Sequence, residues 1–269
     1  MNKSIATIAL ASSMVGITAQ AQVPSLEDLS VSGSFVFESE YIFRGARLNS
    51  ESFQPQVEFG LPLYKGNLYA GVWTNLPISQ NDSTGDIGNE VDPYIGFAMP
   101  VTDIITVDVG FTYFWFPEDP VTTGVDRTRE VYVGIQADVA DLVFVTPAVY
   151  FYYDFDLEQT LVEGSLGYTL DLEDIAGVPG VAIDLAAYVG WLQTDDTSAG
   201  QGGGGSENGY VYGGGSADLV YSLNENIAFS LGVRAAANND GDDPGNVGPA
   251  NGLGSSQSFW WGGSASFSY

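Results

Sequence analysis

The sequence predicts an all-β protein, an antiparallel transmembrane β-barrel of about twelve strands, and three observations predict it. The first is the segment 259–269, in which Phe259, Trp261, Gly263, Ala265, Phe267 and Tyr269 alternate with Trp260, Gly262, Ser264, Ser266 and Ser268. One face is greasy and aromatic at both ends, and the other is mostly small or polar, as in a barrel strand that crosses a membrane. The second observation is that this alternation recurs along the chain between turns whose lengths alternate. The third is composition: 13% of residues are aromatic, 34 are glycine, and only 15% are charged, where roughly a quarter is typical of a soluble domain. Such a surface is expected to be partly non-aqueous.

The elements follow in order. Residues 1–21 read as a signal peptide, with Lys3 as the positive n-region, an apolar run over 5–17 and the cleavage site Ala19-Gln20-Ala21. Residues 22–29 form a short acidic periplasmic leader, and 30–269 the outer-membrane barrel. No later run approaches the roughly 20 apolar residues of a spanning helix, so a membrane protein of this sequence must be a closed barrel. The first strand is expected over 30–44, with Val31, Gly33, Phe35, Phe37, Tyr41 and Phe43 outward and Ser32, Ser34, Glu38, Glu40 and Arg44 inward. Further strands are expected near 53–64, 68–78, 89–99, 104–116, 128–138, 142–155, 158–171, 181–194, 208–221, 227–238 and 257–269. Tight or modest turns at 65–67, 102–103, 140–141, 173–180 and 224–226 alternate with mostly longer polar loops at 47–51, 80–88, 117–125, 195–208 and 239–256. That asymmetry is the one expected of short periplasmic turns and long external loops, and it puts both termini on the periplasmic side.

Parity within each strand assigns the faces. Val57, Phe59, Val109, Phe111, Trp115, Val133, Ile135, Leu185, Val189, Trp191, Phe229, Leu231 and Val233 are expected to face lipid. None is charged, and a charge there would cost roughly 2–4 kcal/mol at the bilayer midplane. Phe43, Trp115, Phe155, Trp191 and Trp261 are expected in an external aromatic girdle, with Tyr168, Tyr221 and Tyr269 at the periplasmic rim.

Charge narrows the function. With 34 acidic against 7 basic residues the net charge is -27, so nucleic acid is not an expected partner and cations are the natural counter-charge. Inward carboxylates at Glu38, Glu40, Glu58, Asp92, Asp108, Glu130, Asp154, Glu163, Asp184 and Asp218 would line a pore that concentrates cations. Glu58 is expected close to Glu38 and Glu40, with Arg234 and Trp260 beside Glu38. The plainer reading is that the acids pair with Arg44, Arg129 and Arg234, but these are too few to neutralise them. Tyr150, Tyr152, Tyr210 and Tyr212 are expected inward, more as filling than as a sugar-stacking slide. An enzyme is not expected. The chain has no Cys and no His, which excludes disulfides, thiolate nucleophiles and Ser-His catalysis. No cofactor or metal is expected, since 238–243 lacks the glycine spacing and distal Glu of an EF-hand and 202–205 opens no helix. The expected function is passive diffusion of small hydrophilic, cationic or neutral solutes. The alternative is a plugged structural or surface-interaction barrel acting through its acidic loops.

Two motifs carry a family resemblance. Ser39-Glu40-Tyr41-Ile42-Phe43-Arg44-Gly45 and, one hairpin later, Tyr69-Ala70-Gly71-Val72-Trp73 resemble the opening S-x-Y-x-F-R-G strand end and the Y-A-G-x-W strand of the TorF family of porins. The sequence departs from that pattern after Gly45, at Ala46-Arg47-Leu48-Asn49. The resemblance implies a porin-like barrel and assigns no solute. The final strand resembles the C-terminal signature of bacterial outer-membrane barrels, ending in Tyr269 where Phe is usual. It implies recognition by the barrel-insertion machinery, with outer-membrane lipid as surroundings.

Overall fold

Period-two alternation makes strands here because each segment can bury one face only if the other meets a different medium. A computed structural model of the chain describes residues 28–79, 87–117, 126–139, 145–194, 209–239 and 257–269. The expected signal peptide, most of the leader, the tip 202–205 and the acidic segment 240–243 lie outside the described residues. The strands are β1 (Ser30–Glu38), β2 (Tyr41–Phe43), β3 (Ala46–Asn49), β4 (Ser52–Leu63), β5 (Gly66–Pro77), β6 (Glu90–Pro100) and β7 (Ile105–Trp115), followed by β8 (Arg127–Ala137), β9 (Thr146–Asp154), β10 (Gln159–Asp171), β11 (Val181–Thr194), β12 (Gly209–Ser222), β13 (Ile227–Asn238) and β14 (Gln257–Ser268). Twelve of them, β1 and β4 to β14, close an antiparallel barrel in sequence order, while β2 and β3 form a separate two-stranded sheet. The seam joins β1 to β14 with Ser32 opposite Ser268 and Glu38 opposite Gly262.

The exterior is apolar along every strand of the barrel. Phe35, Phe59, Val109, Val133, Val149, Leu166, Val189, Leu219, Leu231 and Phe259 are all exposed, a band that water would penalise and hydrocarbon would not. Trp115, Phe155, Trp191 and Trp261 are exposed at the long-loop end, and Tyr221 and Tyr269 at the other. Inside, Glu58, Asp108, Glu130 and Asp154 are buried. At the short-turn end the connection 172–180 contains a helical turn, α1 (Leu172–Ala176). Asp171 caps it by accepting from the Glu173 amide at 2.8 Å, and Gly177 ends it in the left-handed region at φ 67.

The many glycines have a structural counterpart. Tyr69 pairs with Gly96, Tyr132 with Gly110, Tyr150 with Gly134, Tyr212 with Gly190 and Tyr188 with Gly214. In each pair the ring lies over the glycine, so that a Cβ on Gly134 would stand 2.2 Å from Tyr150 and one on Gly190 2.2 Å from Tyr212. Glycine thus lets an inward ring lie down against the wall instead of projecting into the lumen. Replacing Gly134 with Val is expected to destabilise the refolded barrel by about 1–3 kcal/mol, the usual cost of overpacking. Urea unfolding in detergent would read it, and an unchanged midpoint would mean the Tyr150 ring has room to leave.

Candidate functional site: a hairpin and a carboxylate layer in the lumen

The first strand ends six residues before the expected Arg44. After Glu38 the chain turns inward, and β2 and β3 form a hairpin whose two-residue turn, Arg44-Gly45, has φ 51 and φ 75, the left-handed pair of a type I′ turn. Arg44 donates from Nη2 to Glu130 Oε1 at 2.8 Å on β8, and its guanidinium lies 4.6 Å from the Phe43 ring centre and 5.0 Å from that of Tyr152 on β9. The Tyr210 hydroxyl donates to the Arg44 carbonyl at 2.8 Å, and Asn238 Nδ2 to the Gly45 carbonyl at 2.7 Å. These partners sit on β8, β9, β12 and β13, so a hairpin rooted between β1 and β4 reaches across the lumen.

Apolar packing holds the crossing. Tyr41, Ala46 and Leu48 of the hairpin form one buried cluster with Ile87, Phe114, Phe116, Leu161, Leu192, Tyr210 and Tyr212, and Phe43 and Trp73 pack against it. Burying a Leu such as Leu48, 1% exposed, contributes about 1.5–3 kcal/mol. Phe43 is therefore a lumen residue and not a member of the outer girdle. Glu40 lies in the half-buried link between β1 and β2. The expected meeting of Glu38, Glu40 and Glu58 does not occur either. Glu58 pairs with Ser32, and Glu38 with Ser52, so the two acids stand six residues apart along the wall, about 20 Å.

The other predicted acids face the interior, and most are held. Asp108 accepts from the Tyr69 hydroxyl at 2.7 Å and the Tyr150 hydroxyl at 3.1 Å, while Tyr69 and Tyr132 hydroxyls meet at 2.6 Å. Glu58 accepts from the Tyr94 hydroxyl at 2.9 Å, which takes a bond from Gln56 Nε2 at 2.7 Å. Glu163 accepts from the Tyr212 hydroxyl. Asp154 caps the β9–β10 turn through the amides of Asp156 and Leu157 at 2.9 and 2.8 Å. Arg234 spans Glu38 at 3.1 Å and Asp218 at 2.9 Å, and Trp260, opposite Arg234 in the register, adds a hydrogen-bonding neighbour to Glu38. That part of the expectation corresponds to the observed geometry. Asp184 lies between Thr169 and Asp218 on the adjacent strands and engages no arginine among the described residues. Asp92 and Glu90 lie on β6 against the hairpin. Arg129, by contrast, is exposed on the outer side and binds the half-buried Asp156 in two bonds of 2.9 and 2.8 Å, which hold that carboxyl below its ordinary range.

Sequence reasoning named the acids and placed Tyr150 and Tyr212 inward as filling, but it missed Tyr69 and Tyr94 and the donor role of all four. Tyr94 stands two residues from Asp92, Tyr132 two from Glu130 and Tyr152 two from Asp154, so shared parity was the available signal. The bulky half of the lumen is the β5–β9 wall. On β11 to β14 and β1 the inward side chains nearer the short-turn end are small and half-buried: Ser32, Ser34, Ala186, Ser216, Ser230, Ser264 and Ser266. Ser230 and Ser264 share a hydrogen bond of 2.7 Å.

Comparison with known proteins agrees with this architecture. LpxR from Salmonella typhimurium is 10% identical, with 88% of this chain and 99% of that chain covered and a TM-score of 0.51. An outer-membrane channel from Pseudomonas putida is 8% identical, with 94% and 100% covered and a TM-score of 0.50. The NanC porin is 11% identical over 89% and 98% of the chains, with a TM-score of 0.49. At such identities the likeness to LpxR and the Pseudomonas channel is one of fold, a closed antiparallel barrel. No curated protein sequence matches the chain. A family model described as a bacterial protein of unknown function matches residues 25–201, about two thirds of the chain. The chain belongs to that family, Gcw_chp.

Proposed function

We propose that the protein is a porin-like channel of the bacterial outer membrane, narrowed at its long-loop end by the hairpin β2–β3 and preferring small cationic or neutral hydrophilic solutes. The observation that carries this is the lumen's charge. Ten buried acids, Glu38, Glu58, Glu90, Asp92, Asp108, Glu130, Asp154, Glu163, Asp184 and Asp218, meet only Arg44 and Arg234 among the described inward residues. A lining of that sign concentrates cations and repels anions. The small, half-buried serine wall leaves room for water along one side. Passage needs no chemical step and no cofactor. The motif likeness to the TorF porins supports the same reading, and the exposed aromatic residues of β14 support entry through the barrel-insertion machinery, with long loops outside and both termini periplasmic.

The experiment is single-channel recording of the refolded protein under a salt gradient. A cation-selective reversal potential is expected, and substituting Asp184 and Asp218 with Asn should move it toward zero. Unchanged selectivity would remove both from the ion path.

The alternative, a plugged barrel working through its loops, is favoured by one observation, the apolar cluster that the hairpin completes across the lumen. A folded, heat-modifiable barrel that never conducts would establish it.

A further inference from the structure

Where the hairpin meets β5 and β6, several oxygen-bearing side chains are buried without being used. Glu90 is 0% exposed, and its polar side-chain neighbours include the Tyr41 phenol and the Asp92 carboxyl, neither of which makes a hydrogen bond of ordinary geometry to its carboxylate oxygens. Asp92, 5% exposed, has Oδ1 unpartnered, while the Trp115 amide serves the carboxylate. Asn49 of β3 is 0% exposed with both its amide oxygen and its nitrogen unpartnered. The register puts these groups together. Glu90 is directly opposite Asn75, and Asp92 opposite Trp73. Asn49 is opposite Tyr41 in the hairpin, and the Tyr41 phenol faces both Glu90 and Asp92. The Leu48 carbonyl takes the Ile87 amide at 2.9 Å, which brings the chain before Glu90 alongside Asn49.

A buried carboxylate without a partner is costly, and one pair of them side by side more so. Basic partners are missing too: among the described residues neither Glu90 nor Asp92 forms a salt bridge, and Arg44 is already engaged by Glu130 at 2.8 Å. Oxygen ligands only, from two carboxylates, a carboxamide and a phenol, are what a hard divalent cation takes, and calcium tolerates such an irregular set better than magnesium does. Among the described residues no three acidic, His or Cys side chains group as a metal site; here amide and phenol oxygens complete what two carboxylates begin.

We propose that Glu90, Asp92, Asn49 and the Tyr41 hydroxyl hold one calcium-class divalent cation, which latches the hairpin β2–β3 to the barrel wall at β5 and β6. The cation neutralises the local charge and occupies the unused oxygens of both the wall and the hairpin. The latch is independent of whether solutes pass, since it is read by binding and stability.

The test uses the full-length protein refolded in detergent, with calcium chloride as the probe and chelator-treated protein as the reference. Calcium should raise the unfolding temperature of the wild type and bind in a one-to-one ratio by calorimetry, with magnesium much weaker. Terbium should give luminescence sensitised by Tyr41 and the neighbouring Trp73, whose rings are tilted at 47° with centres 5.6 Å apart. In the double variant Glu90→Gln, Asp92→Asn, the calcium-induced shift and the terbium signal should disappear. In chelator the same variant should be at least as stable as the wild type, because it no longer buries unpaired charge. Asn49→Ala, which keeps both carboxylates, should weaken calcium tenfold or more and serves if the double variant fails to fold. Absence of calcium binding to the folded wild type at millimolar concentration would overturn the proposal and leave a carboxyl pair sharing a proton. Binding unchanged in the double variant would overturn it too, and would move the ion to the acidic loops. A silent bilayer recording with the calcium shift intact would sink only the channel reading.

Discussion

Replacing residues 40–50 with Asn-Gly is expected to leave a folded barrel whose single-channel conductance is several-fold higher than that of the wild type. The closed twelve-stranded ladder does not include β2 or β3, so its hydrogen bonds survive the deletion. Ser39 and Glu51 directly follow and precede the Glu38–Ser52 pair, and a two-residue Asn-Gly turn can join them as a type I′ hairpin. What is lost is the material across the lumen: Tyr41, Ala46 and Leu48 leave the cluster, and Arg44 leaves Glu130. The point variant Arg44→Ala tests the same idea more gently. It strands the buried Glu130 carboxylate, a defect of about 3–5 kcal/mol when one partner of a buried pair is removed, and should loosen the hairpin before it unfolds the wall. The measurement is planar-bilayer conductance, checked against heat-modifiable migration. Equal conductance in the deletion and the wild type would mean that the path does not run past the hairpin.

The second large effect is expected at the seam. Arg234→Met should destabilise the barrel by about 3–5 kcal/mol, because one guanidinium serves Glu38 on β1 and Asp218 on β12 across the intervening strands β13 and β14. Without it two buried carboxylates face each other unpaired. The surroundings offer little relief, since a Cβ at Gly262 would already stand 2.3 Å from Glu38 Oε2. The triple variant Glu38→Gln, Asp218→Asn, Arg234→Met should recover most of the loss, as neutral groups remove the uncompensated charge. Urea unfolding in detergent gives both numbers. A loss under about 1 kcal/mol for Arg234→Met would place the triad in the class of solvated ion pairs.

The site was legible in the sequence as far as parity reaches. Glu58, Asp108, Glu130, Glu163, Asp184 and Asp218 face inward because each occupies the same alternating set as its strand's small and polar residues, and Arg234 meets Glu38 because both lie on strands that flank β14. Of the tyrosine donors, Tyr150 and Tyr212 were expected inward but only as filling, while Tyr69 and Tyr94 were equally open to that reasoning and look like lipid-facing aromatics when hydropathy alone is weighed. Parity could not find the hairpin. Tyr41, Phe43, Leu48 and Ile87 carry the alternation or the apolar character of a wall strand, and only the turn at Arg44-Gly45, with two left-handed residues, separates a strand end from an inward fold.

By itself the sequence determined the barrel, its twelve strands, its outward and inward faces and the sign of its lumen. All of these follow from a local rule, that side chains alternate at a period of two and that one face must be apolar. Tertiary structure alone decided where the first loop goes, which acid takes which partner, and how much of the lumen is filled. Those outcomes depend on groups 86 to 193 residues apart, such as Arg44 with Glu130 and Gly45 with Asn238, meeting across a space that exists only once the barrel has closed.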